Sequence, residues 1–377
     1  SATRVDASQL IEKGRENLAL QSNTFSSGSW YSGGLTETSG QSGYDGSLNA
    51  WLIEAVATGT KFLEQNISSG VNTLSIYAKA GTTDWIMLND GGGSSAYFDI
   101  ANGVLGSNSG ADYIDHSIES ISSGWYRCSL TSVNIGQARI YLAAADGNLS
   151  NSIGNNILIQ DAQLEQGLVA TPYIETGAST AQAGILENTP RFDYSGGATC
   201  PSLLLEPSRT NLVVQSEYFG SINWDKTANG TASVPVLTYG VESPEGLNNA
   251  YEITFNTGAG TSTSDSSLLA EAIGGQSAGS YTLSFYAKVS SGTNKIIARG
   301  AGGATYTTCN LTDQWQRFEI TETLPSAGSI YIDIGLRRGL SNEPLNSSVT
   351  CQIYGAQLEA GSYATSYIPT YGVSQTR

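Results

Sequence analysis

The chain is written twice. Asn17-Leu18, Gln21-Ser22, Phe25 and Trp30 return 194 residues later as Asn211-Leu212, Gln215-Ser216, Phe219 and Trp224. Ala162-Gln163-Leu164-Glu165, Gly167, Thr171 and Tyr173-Ile174 return at the same offset as Ala356-Gln357-Leu358-Glu359, Gly361, Thr365 and Tyr367-Ile368. Between these anchors the register drifts, to 209 at Tyr77-Ala78-Lys79 and Tyr286-Ala287-Lys288 and to 190 at Trp125-Tyr126-Arg127 and Trp315-Gln316-Arg317, as loop insertions in a fixed scaffold make it do. The lead-ins correspond too: Arg4-Val5-Asp6 resembles Arg191-Phe192-Asp193, and Leu10-Ile11-Glu12 resembles Leu204-Leu205-Glu206. Each copy far exceeds the roughly 20–50 residues of a stacking repeat and is long enough to bury its own core. The expected division is a lead-in at 1–15, a module at 16–178, a connector at 179–209 and a second module at 210–377. A residue kept in both copies belongs to the common architecture, and one present in a single copy is free for a task.

Composition sets the fold class. With 44 Gly, 20 Tyr, 6 Trp and 13% charged residues, the chain has the profile of short strands joined by turns. Thr73–Ala78, Ala138–Leu142, Asn156–Ile159 and Tyr281–Tyr286 read as strands, and Asp90–Ser95 and Gly300–Gly303 as turns. An all-β chain of two tandem β-sandwiches of jelly-roll type is expected, with one helical turn at Ser8–Lys13.

The net charge of −16 and the absence of a Lys/Arg cluster argue against nucleic acid as a partner. Surplus carboxylates suit solubility. No loop carries a recognised calcium motif, so no cofactor is expected and structural Ca2+ has no motif behind it. Cys128 and Cys351 align with Phe318 and Ile157, which reads them as small buried hydrophobes, while a Cys309–Cys351 bridge stays open. No apolar run is long enough to span a bilayer and no signal peptide is visible, so membrane insertion is not expected.

Candidate chemistry is thin. His116 is the single histidine and has no counterpart in the second copy, which leaves a catalytic triad or zinc site without partners. Glu165 and Glu359 could pair as acids across a sugar, but their duplication assigns them to the scaffold, capping backbone groups at a buried strand end. Gly91-Gly92-Gly93 lacks the pattern of a phosphate loop. Aromatic rings remain, because Trp and Tyr offer sugars an apolar face with a polar tip. Trp30/Trp224 and Trp125/Trp315 occur in both copies and read as anchors. Trp51, Trp85, Tyr31, Tyr44, Tyr113, Tyr239 and Tyr306 lack an evident counterpart and are the candidate glycan contacts.

The run from Asn17 to Trp30, then Tyr77–Lys79, Gly124–Arg127, Ala356–Gly361 and Thr365–Thr370, resembles modules that recur in virion structural proteins of tailed bacteriophages and prophages. The segment from Pro190 to Leu212 is similar to the connector such proteins place before a module. The resemblance covers nearly the whole chain, with departures at Thr171-Pro172-Tyr173-Ile174-Glu175 and at Gln316. It implies carbohydrate-binding-module-like jelly rolls in a tail fibre or head-surface appendage. It also implies a non-enzymatic role in attachment to a host glycan or in assembly with other virion subunits, a homo-oligomer that is trimeric by analogy, and a place on the virion surface after synthesis in the host cytoplasm. The competing expectations are a secreted carbohydrate-binding module or glycan depolymerase component, and a decoration protein with no ligand.

Overall fold

The computed structural model describes residues 3–186, 189–197, 199–301, 305–340 and 346–377, so Gly302 and Gly303 of the expected turn lie outside the described residues. Two compact units divide the chain: Arg15–Ala183, and the lead-in up to Gly14 together with Gly184–Arg377. The chain is all-β, with two tandem β-sandwiches of jelly-roll type.

The lead-in is a hairpin of β1 (Thr3–Val5) and β2 (Ile11–Lys13), so the helical turn expected at Ser8–Lys13 is corrected to turn and strand. Asp6 explains why: its carboxylate accepts the Ser8 and Leu10 amides and fixes a tight turn where a helix would otherwise begin.

In the first sandwich β3 (Arg15–Asn17) pairs with β16 (Ala181–Ala183), tying the ends of the unit together. One sheet contains β5 (Leu35–Gln41), β6 (Ala50–Ala55), β15 (Asn156–Gln166), β8 (Asn72–Ala80), β13 (Trp125–Ser132) and β12 (Tyr113–Ser122), in that order across the sheet. The facing sheet runs β4 (Tyr31–Ser32), β7 (Lys61–Asn66), β14 (Gln137–Ala143), β9 (Trp85–Asn89), β10 (Ser95–Asp99) and β11 (Val104–Ser109). Leu63, Leu74, Ile76, Leu88, Phe98, Cys128, Ile140 and Ile159 alternate inward from both sheets and fill the core.

The second unit adds two short connector strands, β17 (Phe192–Asp193) and β18 (Ser202–Leu203), and a terminal pair, β19 (Thr210–Asn211) and β30 (Gln375–Thr376). Its sandwich repeats the plan. One sheet runs β21 (Ser233–Val241), β22 (Ala250–Asn256), β29 (Ser348–Ala360), β24 (Gly279–Lys288) and β27 (Gln316–Leu324). The other runs β20 (Asp225–Asn229), β23 (Ser266–Gln276), β28 (Gly328–Arg337), β25 (Asn294–Arg299) and β26 (Thr307–Leu311). Each sheet here has one strand fewer than in the first sandwich. The sequence register drops from 209 to 190 over this stretch, and the 19 residues lost are the span of β11 and β12, Val104 through Ser122. The two inserted strands add one edge strand to each sheet of the first sandwich only, β11 to one and β12 to the other.

The repeated residues are backbone staples. Asn17 donates to the carbonyls of Ala162 and Ile174 and accepts the Leu164 amide, and Asn211 makes the same bonds to Ala356, Ile368 and Leu358. Gln163 accepts the Ile174 amide at 2.7 Å, as Gln357 accepts Ile368 at 2.6 Å. Glu165 accepts the amide and hydroxyl of Thr171, as Glu359 does with Thr365. Trp30 and Trp224 each donate the indole N–H to the carbonyl of the repeated glutamine, Gln21 or Gln215. Glu165 and Glu359 are therefore structural, both almost fully buried. Replacing Glu165 by alanine leaves the Thr171 groups without their acceptor, and a loss of about 2–3 kcal/mol is expected in denaturant unfolding of the full chain.

All four thiols are free, which closes the question of a Cys309–Cys351 bridge: Cys128, Cys309 and Cys351 are buried and burial pushes their thiols up, while Cys200 is exposed. Among the described residues no helix is long and apolar enough to cross a membrane, and no group of three or more His, Cys, Asp or Glu could hold a metal ion.

One buried difference between the copies has a pH consequence. In the first sandwich Gln65 accepts the Leu20 amide at 2.7 Å and donates to the Leu20 carbonyl at 3.0 Å. Glu271 takes this place in the second sandwich, against the backbone amide of Val214, with Oε2 buried and unpartnered. Burial raises its carboxyl to about 8, against the pull of the Val214 amide. The folded state therefore holds a proton that the unfolded chain releases near the ordinary glutamate value, and stability falls as pH rises from about 4.5 to about 8. Glu271→Gln restores the amide of the first copy. It is expected to abolish that slope and to raise stability at pH 8 by on the order of 2–4 kcal/mol, read from urea unfolding across pH.

Candidate functional site

The site lies on the outward face of the first sandwich's β4–β11 sheet. Strict alternation creates it. Ile86, Leu88, Ala96, Phe98, Ala138, Ile140, Leu142 and Leu63 point into the core, so their neighbours must point out. Register then sets Phe62 of β7 opposite Tyr141 of β14, Tyr141 opposite Met87 of β9, and Met87 opposite Tyr97 of β10. This row crosses four strands, about 14 Å at the usual strand spacing.

The rings are in contact. Phe62 and Tyr141 have centroids 5.1 Å apart, and Tyr31, 63% exposed at the sheet edge, sits 5.9 Å from Phe62. Met87 is buried within the row, whereas Phe62, Tyr97, Tyr141 and Trp85 are half-buried, with a flank supported and a surface free. Trp85 lies at the far end against β11, where a glycine is required. A Cβ at Gly106 would meet Trp85 Cζ3 at 2.6 Å, Asp146 Oδ1 at 2.8 Å and Tyr97 Cβ at 2.9 Å. Burial, then Asp146 and Tyr141, raise the Tyr97 phenol, which keeps it a neutral donor.

A polar row lies beside the aromatic one. Tyr31, Glu64, Arg139, Asn89 and Ser95 are successive partners across the sheet. Arg139 is ion-paired to Glu64 and lies 5.8 Å over the Phe62 ring. Gln137 donates to Glu64 and, at 2.7 Å, to Asn66. Asp146 accepts the amide and hydroxyl of Ser107. The arrangement offers flat apolar surfaces flanked by fixed hydrogen-bonding groups.

The second sandwich does not repeat it. Taking Gln65 at Leu20 and Glu271 at Val214 as the common reference, Phe62, Tyr141, Met87 and Tyr97 correspond to Leu268, Gly335, Ile297 and Thr308. Trp85 and Tyr31 correspond to Lys295 and Asp225. None of the five ring positions is aromatic there. Leu268 and Ile297 are buried with Tyr306 and packed against Leu340, and Tyr331, 51% exposed, lies further along β28.

Of the seven aromatic candidates, Trp85 and Tyr31 are on this face. Trp51 is corrected: it is a core residue, edge-on to Phe25 at 6.2 Å with its indole N–H on the Asn23 carbonyl, and Tyr251 repeats it against Phe219 at 5.8 Å. The sequence hides this counterpart because a Trp-to-Tyr exchange keeps the packing but not the letter. Tyr306 is corrected as well, being buried with its hydroxyl on Asp333 and its ring between Arg299 and Arg337. Tyr44 stacks on Tyr77 at 4.0 Å and donates to Asp161, whose carboxyl burial raises to about 6. Tyr113 bonds His116 Nδ1 at 2.6 Å, and burial lowers the His116 ring below its ordinary value. Tyr239 packs on Tyr251. Phe62, Tyr97 and Tyr141 were not singled out in the sequence, although each is an aromatic on the outward parity of an alternating strand.

No protein-family model matches the chain, and no curated protein matches it. Among solved structures, the N-terminal CBM22-1–CBM22-2 tandem domain of Xyn10C from Paenibacillus barcinonensis aligns at 14% identity and TM-score 0.29, covering 96% of this chain and 99% of that one. A family 11 carbohydrate-binding module from Clostridium thermocellum, in complex with a β-1,3-1,4-mixed-linked tetrasaccharide, aligns at 12% identity and TM-score 0.27, covering 42% of this chain and 100% of that one. The enzymatically active domain of tailspike protein 4 from bacteriophage CBA120 aligns at 12% identity and TM-score 0.27, covering 39% and 21%. Likeness at this level leaves function to be argued from the site.

Proposed function

We propose that the chain is a non-enzymatic glycan-binding protein whose first sandwich holds the ligand on the outward face of the β4–β11 sheet, and that it serves as a surface appendage of a phage particle. One observation carries the binding reading: five aromatic residues specific to the first copy converge on one sheet face, while the shared aromatics Trp30/Trp224 support the core. A face needed only for folding would be aromatic in both copies. The half-buried rings are anchored from below, so little side-chain freedom is lost on binding. The carboxylates at this face are engaged in structural bonds, Glu64 with Arg139, Asp146 with Ser107, and Asp99, opposite Trp85, with the amides of Ala101 and Asn102, which favours binding over hydrolysis. The phage reading rests on the resemblance of the signature residues and connector.

A glycan array probed with the full chain, followed by adsorption to cells displaying the best ligand, tests this reading. Binding to one class of saccharide without loss of polymer length is the expected outcome. A blank array and unaltered adsorption would leave a decoration protein, and shortening of the polymer would make it a depolymerase.

A further inference from the structure

The second sandwich carries charge where the first carries rings, and we propose that its outward face holds a separate site for a carboxylate-bearing sugar residue, clamped by Arg337 and Lys295.

Strand register sets the site. Asn229 of β20 is opposite Ser266 of β23, Ser266 is opposite Arg337 of β28, and Lys295 of β25 is opposite Asn310 of β26. In the antiparallel β25–β28 pair Ile297 is opposite Gly335, and Lys295 and Arg337 each lie two residues from that pair towards the same end of the sheet. They are therefore neighbours on the outward parity. The row across the five strands holds two cations and three neutral hydrogen-bonding groups, with no carboxylate. In the first sandwich the positions of Arg337, Lys295 and Asn310 are taken by Ala143, Trp85 and Asp99. This level of the face thus carries one negative charge in the first copy and two positive charges in the second, within a chain of net charge −16.

Folding does not call for the pair. Like charges side by side on a sheet are destabilising, and among the described residues no carboxylate is ion-paired to Lys295 or Arg337. Arg337 is nonetheless held in place: its guanidinium lies 5.6 Å over the Tyr306 ring and donates to the Tyr306 hydroxyl at 3.4 Å. Asp333 accepts that hydroxyl and is ion-paired to Arg299, which leaves its charge already answered. A guanidinium fixed on a ring, with the exposed Lys295 ammonium beside it, offers a planar fork and a point charge to one carboxylate. Asn229 and Asn310, both exposed, flank it with amide groups suited to hydroxyls. A nucleic-acid backbone needs a longer track of cations, whereas a single acidic residue of a glycan needs only this pair. That the carboxylate belongs to a sugar rests on the glycan reading of the first sandwich; the charge complementarity does not.

Calorimetric titration of the full chain with trigalacturonate, with its carboxyl-reduced neutral form and with a sulfated trisaccharide tests the site. Trigalacturonate is expected to bind wild type and Tyr141→Ala alike, roughly tenfold more tightly than the neutral form and less tightly as salt is raised, and Lys295→Gln to weaken it about tenfold. Lys295 is exposed, so this variant keeps the fold even where Arg337→Gln, which also loses the contact with Tyr306, does not. Binding of this kind beside a blank array for neutral glycans would uphold the site and sink only the first-sandwich reading. Equal affinity for the neutral form, preference for the sulfated one, loss of binding in Tyr141→Ala, or a titration unmoved by Lys295→Gln would overturn the proposal.

Discussion

Replacing Lys13 by methionine lowers the unfolding midpoint of the unit containing the second sandwich by on the order of 10 °C, while the transition of Arg15–Ala183 stays in place. The cause is electrostatic. Methionine keeps much of the stem but removes the ammonium facing Glu217 and Glu245, and breaking a buried ion pair by removing one partner costs about 3–5 kcal/mol. Burial raises the Glu245 carboxyl against the pull of Lys13, so loss of the ammonium raises it further and part of the loss is recovered at acidic pH. The triple variant with Glu217→Gln and Glu245→Gln recovers much of the rest, because no unpaired charge remains. Differential scanning calorimetry of the full chain separates the two transitions. An unchanged upper and lower midpoint in Lys13→Met would show that the lead-in contributes no stability.

The second large effect is on binding. Tyr141 is central in the aromatic row, in contact with Phe62 and opposite Met87. Tyr141→Ala is expected to weaken the ligand found by the array about 30-fold or more, the usual cost of truncating a central aromatic hot spot of about 2 kcal/mol. Tyr331→Ala, on the outward face of the second sandwich, should leave affinity unchanged in the same calorimetric titration.

Much of this architecture was legible in the letters. The 194-residue repeat located the staples Asn17, Gln163 and Glu165, because side chains that bond backbone tolerate no substitution of shape or polarity. The loss of 19 residues in register corresponded to two complete edge strands, one in each sheet of the first sandwich. The proposed binding face was only half legible. Trp85 and Tyr31 stood out as unrepeated, but Phe62, Tyr97 and Tyr141 needed strand parity to be followed residue by residue, and the row they form depends on register between strands far apart in sequence. Lys13 could not have been found at all. Its partners lie more than two hundred residues away, and its equivalent in the second lead-in is Pro207. The Gln65-to-Glu271 exchange was hidden for another reason: the register gap falls between the anchors on either side, so only the shared contact with Leu20 or Val214 aligns the pair.

The most direct measurement of the central claim is affinity electrophoresis of the full chain through gels containing the ligand polysaccharide, with wild type beside Tyr97→Ala/Tyr141→Ala and Tyr331→Ala. Retardation of wild type and of Tyr331→Ala, with free migration of the double variant, is the result predicted for a binding face on the β4–β11 sheet. Retardation of the double variant equal to wild type would place the glycan elsewhere and contradict it.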